Sequence, residues 1–311
     1  MYIKNLNKIN FRDIKEVGGK AASLGEMIQA KNPVPQGFVI LASAFSKFLE
    51  ETDLETEIEA RMQKVNLKNI NSVDRASNEI RDLILDAEFP KDIAREIQKE
   101  FLKLKAKYVA VRSSATAEDS SVASWAGELE SYLNTTKSNL LKNVKKCWAS
   151  LFTPRAIFYR FEKRLNSAKV SVAVVIQKMI QSEIAGICFT VHPITKDYDQ
   201  MIIEAGYGLG EAVVSGKITP DTYVVHKKNK NILDKNINRQ EKMIVKSDTG
   251  NTEKRISRLE QNKQKLSNTQ ILKLAEICKK IETHYKIPQD IEWAFYKGKF
   301  YVVQSRPITT L

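Results

Sequence analysis

Three of the 311 residues are cysteine, Cys147, Cys188 and Cys278, far apart and outside any C-x-x-C spacing. So few and so scattered, they exclude a disulfide framework and a zinc ribbon, and they read as three small apolar residues. Histidine is as scarce. His192, His226 and His284 have no metal-ligand spacing, and none stands beside a Ser or Cys that looks like a nucleophile, so core or surface positions are expected. No apolar run approaches the roughly 20 residues of a membrane helix. The opening MYIKNLNKINFRDIK lacks the apolar centre of a secretory signal, so a cytoplasmic location is expected. With 12 Gly, 8 Pro, 42% hydrophobic and 28% charged residues, the composition is that of a folded chain. Its length suffices for one large domain or two lobes, each with a core of its own.

Charge is abundant and uneven. The net charge is +13, and between Lys227 and Lys265 there are 12 Lys/Arg against 5 Asp/Glu, a local +7. That raises a polyanion as a partner. The stretch lacks interleaved aromatics for base stacking, so it reads as a solvated lysine-rich surface, and nucleic acid is not the expected partner.

The pattern along the chain changes once. GGKAASLGEMIQA is a glycine pair leading into an amphipathic helix, and VPQGFVI is a Pro/Gly turn feeding a short strand. Helical patterning follows near Ala44–Leu67 and Ile70–Lys105, then the strand YVAVRS. A helix is expected from Lys137 to about Lys163, with Pro154 at a break or at the start of a new turn. From VSVAVVIQKMI onward the texture is of short β-branched runs, GICFTV, QMIIEAGYG, DTYVVHK and KFYVVQS. One helix interrupts them near Ser267, with Leu274, Cys278, Ile281 and Tyr285 on one face. The expectation is an α/β (α+β) fold in two parts, 1–168 and 169–311.

Two glycine-rich matches fail. GEAVVSGKI has five residues between Gly210 and Gly216, and Ile218 stands where a P-loop needs Ser or Thr. GYGLGE has Glu211 where a dinucleotide fingerprint needs its third glycine. Other features survive. Lys20 follows two glycines and opens a helix, a geometry that can hold phosphate. Arg112 ends an apolar strand and introduces VAVRSSATAEDSSVASWAGELES, Val109 to Ser131, with seven Ser or Thr that can approach phosphate oxygens closely. At the end, DIEWAFYKGKFYVVQSRP reads as strand, turn, strand, with Glu292 on the first strand and Gln304 and Arg306 sharing a face of the second. A carboxylate and an amide oxygen suit magnesium, and the arginine suits a phosphate.

These segments, with CWASLFTPRAIFYR, GICFTVHPIT and GYGLGEAVVSGKITPD, occur in the order found in one family. The chain resembles, over nearly its whole length, the N-terminal ATP-binding domain of the phosphoenolpyruvate synthase, pyruvate phosphate dikinase and rifampicin phosphotransferase family. The resemblance implies an ATP-grasp fold of two lobes clamping ATP, with magnesium as cofactor. It implies ATP contacts at Lys20, Arg112, Gly127, Ser131, Gln177, Met179, Ile180, Glu292, Gln304 and Arg306, with Ser131 standing where some members have Thr. Lys20, Arg112 and Arg306 would be the catalytic cations, Glu292 and Gln304 the metal ligands, and Ser113 to Ser131 would close over the triphosphate.

In that family a phosphoryl group passes from ATP to a histidine on a separate swivelling domain, and ATP ends as AMP. No Thr-Ser-His motif of such a domain occurs in the 311 residues, so a phosphohistidine domain or subunit in trans is the expected partner. The final acceptor, pyruvate or a drug, would bind elsewhere. The leading expectation is thus a module of a pyruvate, water dikinase-like phosphotransferase. The alternatives are the ATP-binding domain of a rifampicin phosphotransferase-like antibiotic kinase, or a non-catalytic nucleotide-sensing subunit.

Overall fold

A computed structural model describes residues 2–116, 130–163, 171–247 and 250–309. The chain forms two compact units, one of Met1–Gly25 with Gln36–Met179, the other of Glu26–Pro35 with Ile180–Leu311.

The first unit contains β1 (Ile3–Asn5), α1 (Ile14–Gln29) up to Gly25, β2 (Gly37–Ile40), α2 (Ala42–Glu51), α3 (Leu54–Gln63), α4 (Ile70–Asp86), α5 (Lys91–Lys103), β3 (Val109–Ala115), β4 (Ser131–Thr135), α6 (Leu140–Ala149), α7 (Pro154–Glu162) and β5 (Val172–Lys178). Its sheet runs β1-β2-β5-β3-β4, antiparallel throughout. Side chains alternate between the faces of a strand. Val109, Val111 and Ala115 of β3 and Val172, Val174 and Ile176 of β5 therefore enter one core with Phe45, Phe48, Ile80, Ile97 and Trp148. The Phe48 and Trp148 rings lie 5.0 Å apart, centre to centre. The opposite parity turns Arg112 and Gln177 to the other face.

Breaks in the helical pattern have local causes. The stretch expected over Ala44–Leu67 is two helices, because Asp53 adopts a left-handed conformation at φ 55° between them. Ile70–Lys105 is also two, with Pro90 directly preceding α5. Lys137–Lys163 divides at a tight 3-10 turn, Ser150–Phe152. Pro154 then occupies the first position of α7, where its missing N–H would have had no helical partner, and the Thr153 hydroxyl accepts from the amide of Ala156 at 3.2 Å.

The second unit holds β6 (Ile184–Phe189), β7 (Gln200–Tyr207), α8 (Glu211–Val214), β8 (Asp221–His226), β9 (Asn231–Asn236), β10 (Lys242–Ser247), β11 (Gly250–Arg255), α9 (Asn268–Tyr285), β12 (Gln289–Tyr296) and β13 (Lys299–Pro307). The main sheet runs β13-β12-β6-β7-β8-β9, again antiparallel, and β10 pairs with β11 in a ribbon. Helix α9 starts with a capping box between Ser267 and Gln270 and buries Leu274, Cys278 and Ile281.

The lysine-rich stretch is largely exposed, but its two ends are interior. Lys265 Nζ lies 2.8 Å from Asp221 Oδ1, with both side chains wholly buried. Asp221 also accepts from the Tyr223 hydroxyl at 2.8 Å and from the amides of Asn238 and Lys265 at 3.0 and 2.9 Å. Lys227 donates to both carboxylate oxygens of Glu282 at 2.8 Å. The whole is a mixed α+β fold with antiparallel sheets. Among the described residues, no helix is long and apolar enough to cross a membrane.

Candidate functional site

In the first unit the Gly-Gly-Lys and Val-Arg-Ser-Ser segments lock together. Gly18 has φ 73°, and a Cβ there would lie 2.5 Å from both the carbonyl and the hydroxyl oxygen of Ser114. Glycine is what lets the two backbones approach. Just beyond, the Ser114 hydroxyl accepts the amide of Ala21 at 3.2 Å, and Lys20 Nζ donates to the Ser113 carbonyl at 2.9 Å. The Ser113 hydroxyl is turned the other way, donating to the Glu130 carbonyl at 3.1 Å and lying 3.3 Å from Ser150 Oγ. These two serine hydroxyls of the hydroxyl-rich stretch therefore hold the protein's own backbone.

Arg112, 9% exposed, stands opposite Val175 on β5 and Ser131 on β4, while Gln177, 2% exposed, stands opposite Ala110. Arg112 and Gln177 are thus diagonal neighbours on one face of adjacent strands. Ser131 is exposed. Nε2 of Gln177 is buried with no hydrogen-bond partner among the described residues. A donor so placed costs about 1–3 kcal/mol unless a ligand supplies the acceptor.

In the second unit β12 and β13 form the hairpin suggested by the sequence, turning through Lys297 and Gly298 at φ 48° and 75°. Glu292 lies directly opposite Gln304, and Asp290 opposite Arg306. The row through Glu292 continues to Ile187 on β6 and Glu204 on β7, so Gln304, Glu292 and Glu204 share a face with the neighbouring Asp290 and Arg306. A bulge follows Glu292, a device that re-aims side chains beside a site. Asp290 and Glu204 escape the sequence reading. Asp290 carried one signal, its place two residues before Glu292 on an extended segment; Glu204 carried none.

Arg306 donates to Asp290 Oδ2 from Nη2 at 2.7 Å and from Nε at 2.8 Å. Burial pushes the Asp290 carboxyl above the ordinary range; Arg306 opposes this, and nearby Glu292 adds to it. Glu204 is raised too, by burial and then by Asp290. Asp290 Oδ1 is buried with no hydrogen-bond partner among the described residues. That oxygen, the Glu292 carboxylate and the Gln304 amide make a hard-oxygen donor set of the kind divalent magnesium takes. No three carboxylate, imidazole or thiolate side chains among the described residues are grouped to hold a metal by themselves. A cation here would keep positions for water and phosphate oxygens, as magnesium does.

The remaining predicted residues are dispersed. Met179, whose amide donates to the Tyr108 carbonyl at 3.1 Å, closes the first unit, and Ile180 opens the main part of the second; both are half-buried. Gly127 and the rest of 117–129 lie outside the described residues. His192 and His226 accept backbone amides in their own turns through Nδ1, and His284 Nε2 lies 3.1 Å from Glu26 Oε1.

One unit carries a buried cation, Arg112, and an amide donor without a partner among the described residues, and the other carries an oxygen-rich strand pair. The class of the domain follows from kinship. Residues 14–311 match the family described as pyruvate phosphate dikinase, AMP/ATP-binding domain, and the chain belongs to that family. It is an ATP-binding domain. A probable phosphoenolpyruvate synthase of Methanocaldococcus jannaschii is 46% identical and the phosphoenolpyruvate synthase of Pyrococcus furiosus 39% identical, each across 100% of this chain. Rifampicin phosphotransferase of Bacillus subtilis is 36% identical across 99% of it. The chain spans 27%, 44% and 36% of the lengths of those three relatives.

Proposed function

We propose that this chain is the ATP- and magnesium-binding module of a pyruvate, water dikinase-like phosphotransferase, with its two units as the lobes of an ATP-grasp domain. The observation that carries the reading is the cross-strand set Asp290–Arg306 and Glu292–Gln304, with a buried Asp290 oxygen that has no hydrogen-bond partner among the described residues. Asp290, Glu292 and Gln304 would hold magnesium, which when bound neutralises phosphate charge. Lys20 and Arg112 would meet phosphate oxygens as fixed cations, so that little reorganisation is needed as charge shifts during transfer. Gln177 would donate its unanswered N–H to the nucleotide, and Met179 and Ile180 would offer apolar contact to its base. The phosphoryl group would pass to a histidine on a phosphohistidine domain. Pyruvate is proposed as final acceptor over a drug because the phosphoenolpyruvate synthase relatives exceed the rifampicin phosphotransferase in identity, and a cytoplasmic location is part of the same proposal.

Calorimetry and thermal melting with ATP and magnesium test the binding step. Heat and stabilisation are expected, and neither appearing at millimolar nucleotide would overturn it. For the transfer step, a separately made phosphohistidine domain of a matching dikinase is added with ATP. AMP and a phosphorylated acceptor are expected, whereas stable phosphorylation of the 311-residue chain alone would refute the module reading.

A further inference from the structure

Arg160, in the last turns of α7, is 7% exposed. Its Nε and Nη1 are buried with no hydrogen-bond partner among the described residues. Its guanidinium carbon lies 5.3 Å from the centre of the Phe152 ring. Burial pulls its pKa down to about 10. An ion taken out of water without a counter-charge is a heavy penalty. The ring face and the C-terminal end of a short helix offset part of it. Two other interior cations are treated differently: Lys265 has Asp221, and Lys227 has Glu282. A position that needed packing alone could carry methionine at similar volume without any penalty.

Its surroundings connect Arg160, through the turn that holds Phe152, to Ser113 on β3. Phe152 closes the turn Ser150–Phe152, Ser150 Oγ lies 3.3 Å from Ser113 Oγ, and the Ser113 carbonyl accepts from Lys20. Arg160 stands on the helical side of β3, against the core residue Phe152, whereas Arg112 projects from the opposite face. It is therefore a cation additional to Lys20 and Arg112.

We propose that Arg160 is the cation of a phosphate-binding site at the end of β3, meeting a phosphate oxygen through its unpartnered nitrogens. The phosphate is either one of the nucleotide's own or free orthophosphate. The first source rests on the ATP-binding reading above; the second does not.

The experiment compares the full chain with Arg160→Met, titrating MgATP and orthophosphate separately and recording the melting temperature of each free protein. Free R160M should melt no lower than the wild type, since a buried charge with no partner among the described residues has been removed. It should bind one of the two ligands about 10- to 100-fold more weakly, the range for a hydrogen bond to a charged group. A loss confined to MgATP assigns the site to the nucleotide, and a loss confined to orthophosphate assigns it to the free anion. Wild-type affinity for both, or a lower melting temperature with both affinities intact, would overturn the proposal. If R160M does not fold, Arg160→Lys keeps the charge but not the planar donors, and unchanged affinity for both ligands would be equally fatal. A wild-type chain that binds orthophosphate but not ATP would sink the ATP reading and leave this site standing.

Discussion

Arg306→Met removes the counter-charge of Asp290 while keeping an aliphatic stem on β13. The native pair is lopsided, with the Asp290 side chain 11% exposed and that of Arg306 52% exposed. Breaking a fully buried pair costs about 3–5 kcal/mol and an exposed one about 0–1. With one end open to water, the expected loss is about 1–3 kcal/mol at neutral pH. The sign of its pH dependence follows from the carboxyl. Burial already lifts the folded pKa of Asp290, and Arg306 is the influence opposing it, so the variant lifts it further. A carboxyl raised in the folded state contributes stability that is complete below its unfolded pKa of about 4 and is lost as pH rises through the folded value. The penalty of R306M should therefore be largest near about pH 7.5 and shrink toward about pH 5. Glu292 and Glu204 interact with the same carboxyl network, so the change should be spread over a broad range. Urea unfolding of the nucleotide-free protein at both pH values, with hydrogen exchange of β12 and β13 as the local readout, measures it. Asp290→Asn in the same chain should remove most of the pH dependence. A loss under about 0.5 kcal/mol at the higher pH, or a loss that grows on acidification, would refute the reasoning.

Glu292→Gln should weaken binding of magnesium-ATP more than of metal-free ATP, because it would exchange the proposed carboxylate ligand for an amide; equal losses in calorimetry would assign Glu292 to structure. Gly18→Ala should cost about 2–4 kcal/mol in thermal or urea melts, since φ 73° is strained for alanine and its Cβ would meet Ser114 oxygens at 2.5 Å. A neutral result would mean that the backbone there can relax. Lys265→Met leaves the Asp221 carboxylate buried without its cation and should cost about 3–5 kcal/mol; a loss under about 1 would show that Tyr223 and the two amides suffice.

Period-two alternation is a local property of an extended chain. The sequence alone therefore determined that Gln304 and Arg306 share a face, that KGK turns the chain, and that Glu292 lies on the other arm of the hairpin. It also determined that α9 has an apolar face and that glycine precedes Lys20. What alternation cannot specify is which residue stands opposite, because pairing depends on segments far apart along the chain. Asp290 meets Arg306 across 16 residues, Lys265 meets Asp221 across 44, and Lys20 reaches Ser113 across 93. The helix break at Asp53 was hidden for another reason: the apolar pattern continues through it, and packing decides where the backbone turns, whereas Pro154 marked the start of α7 in the sequence itself. Burial was equally invisible. Lysines at the ends of a basic stretch read as solvated until the fold encloses them with carboxylates. Arg160 looks like any helical arginine until the structure buries it and leaves its Nε and Nη1 without a partner among the described residues. The local code sets which way a side chain points, and tertiary structure decides what it finds there and at what dielectric cost.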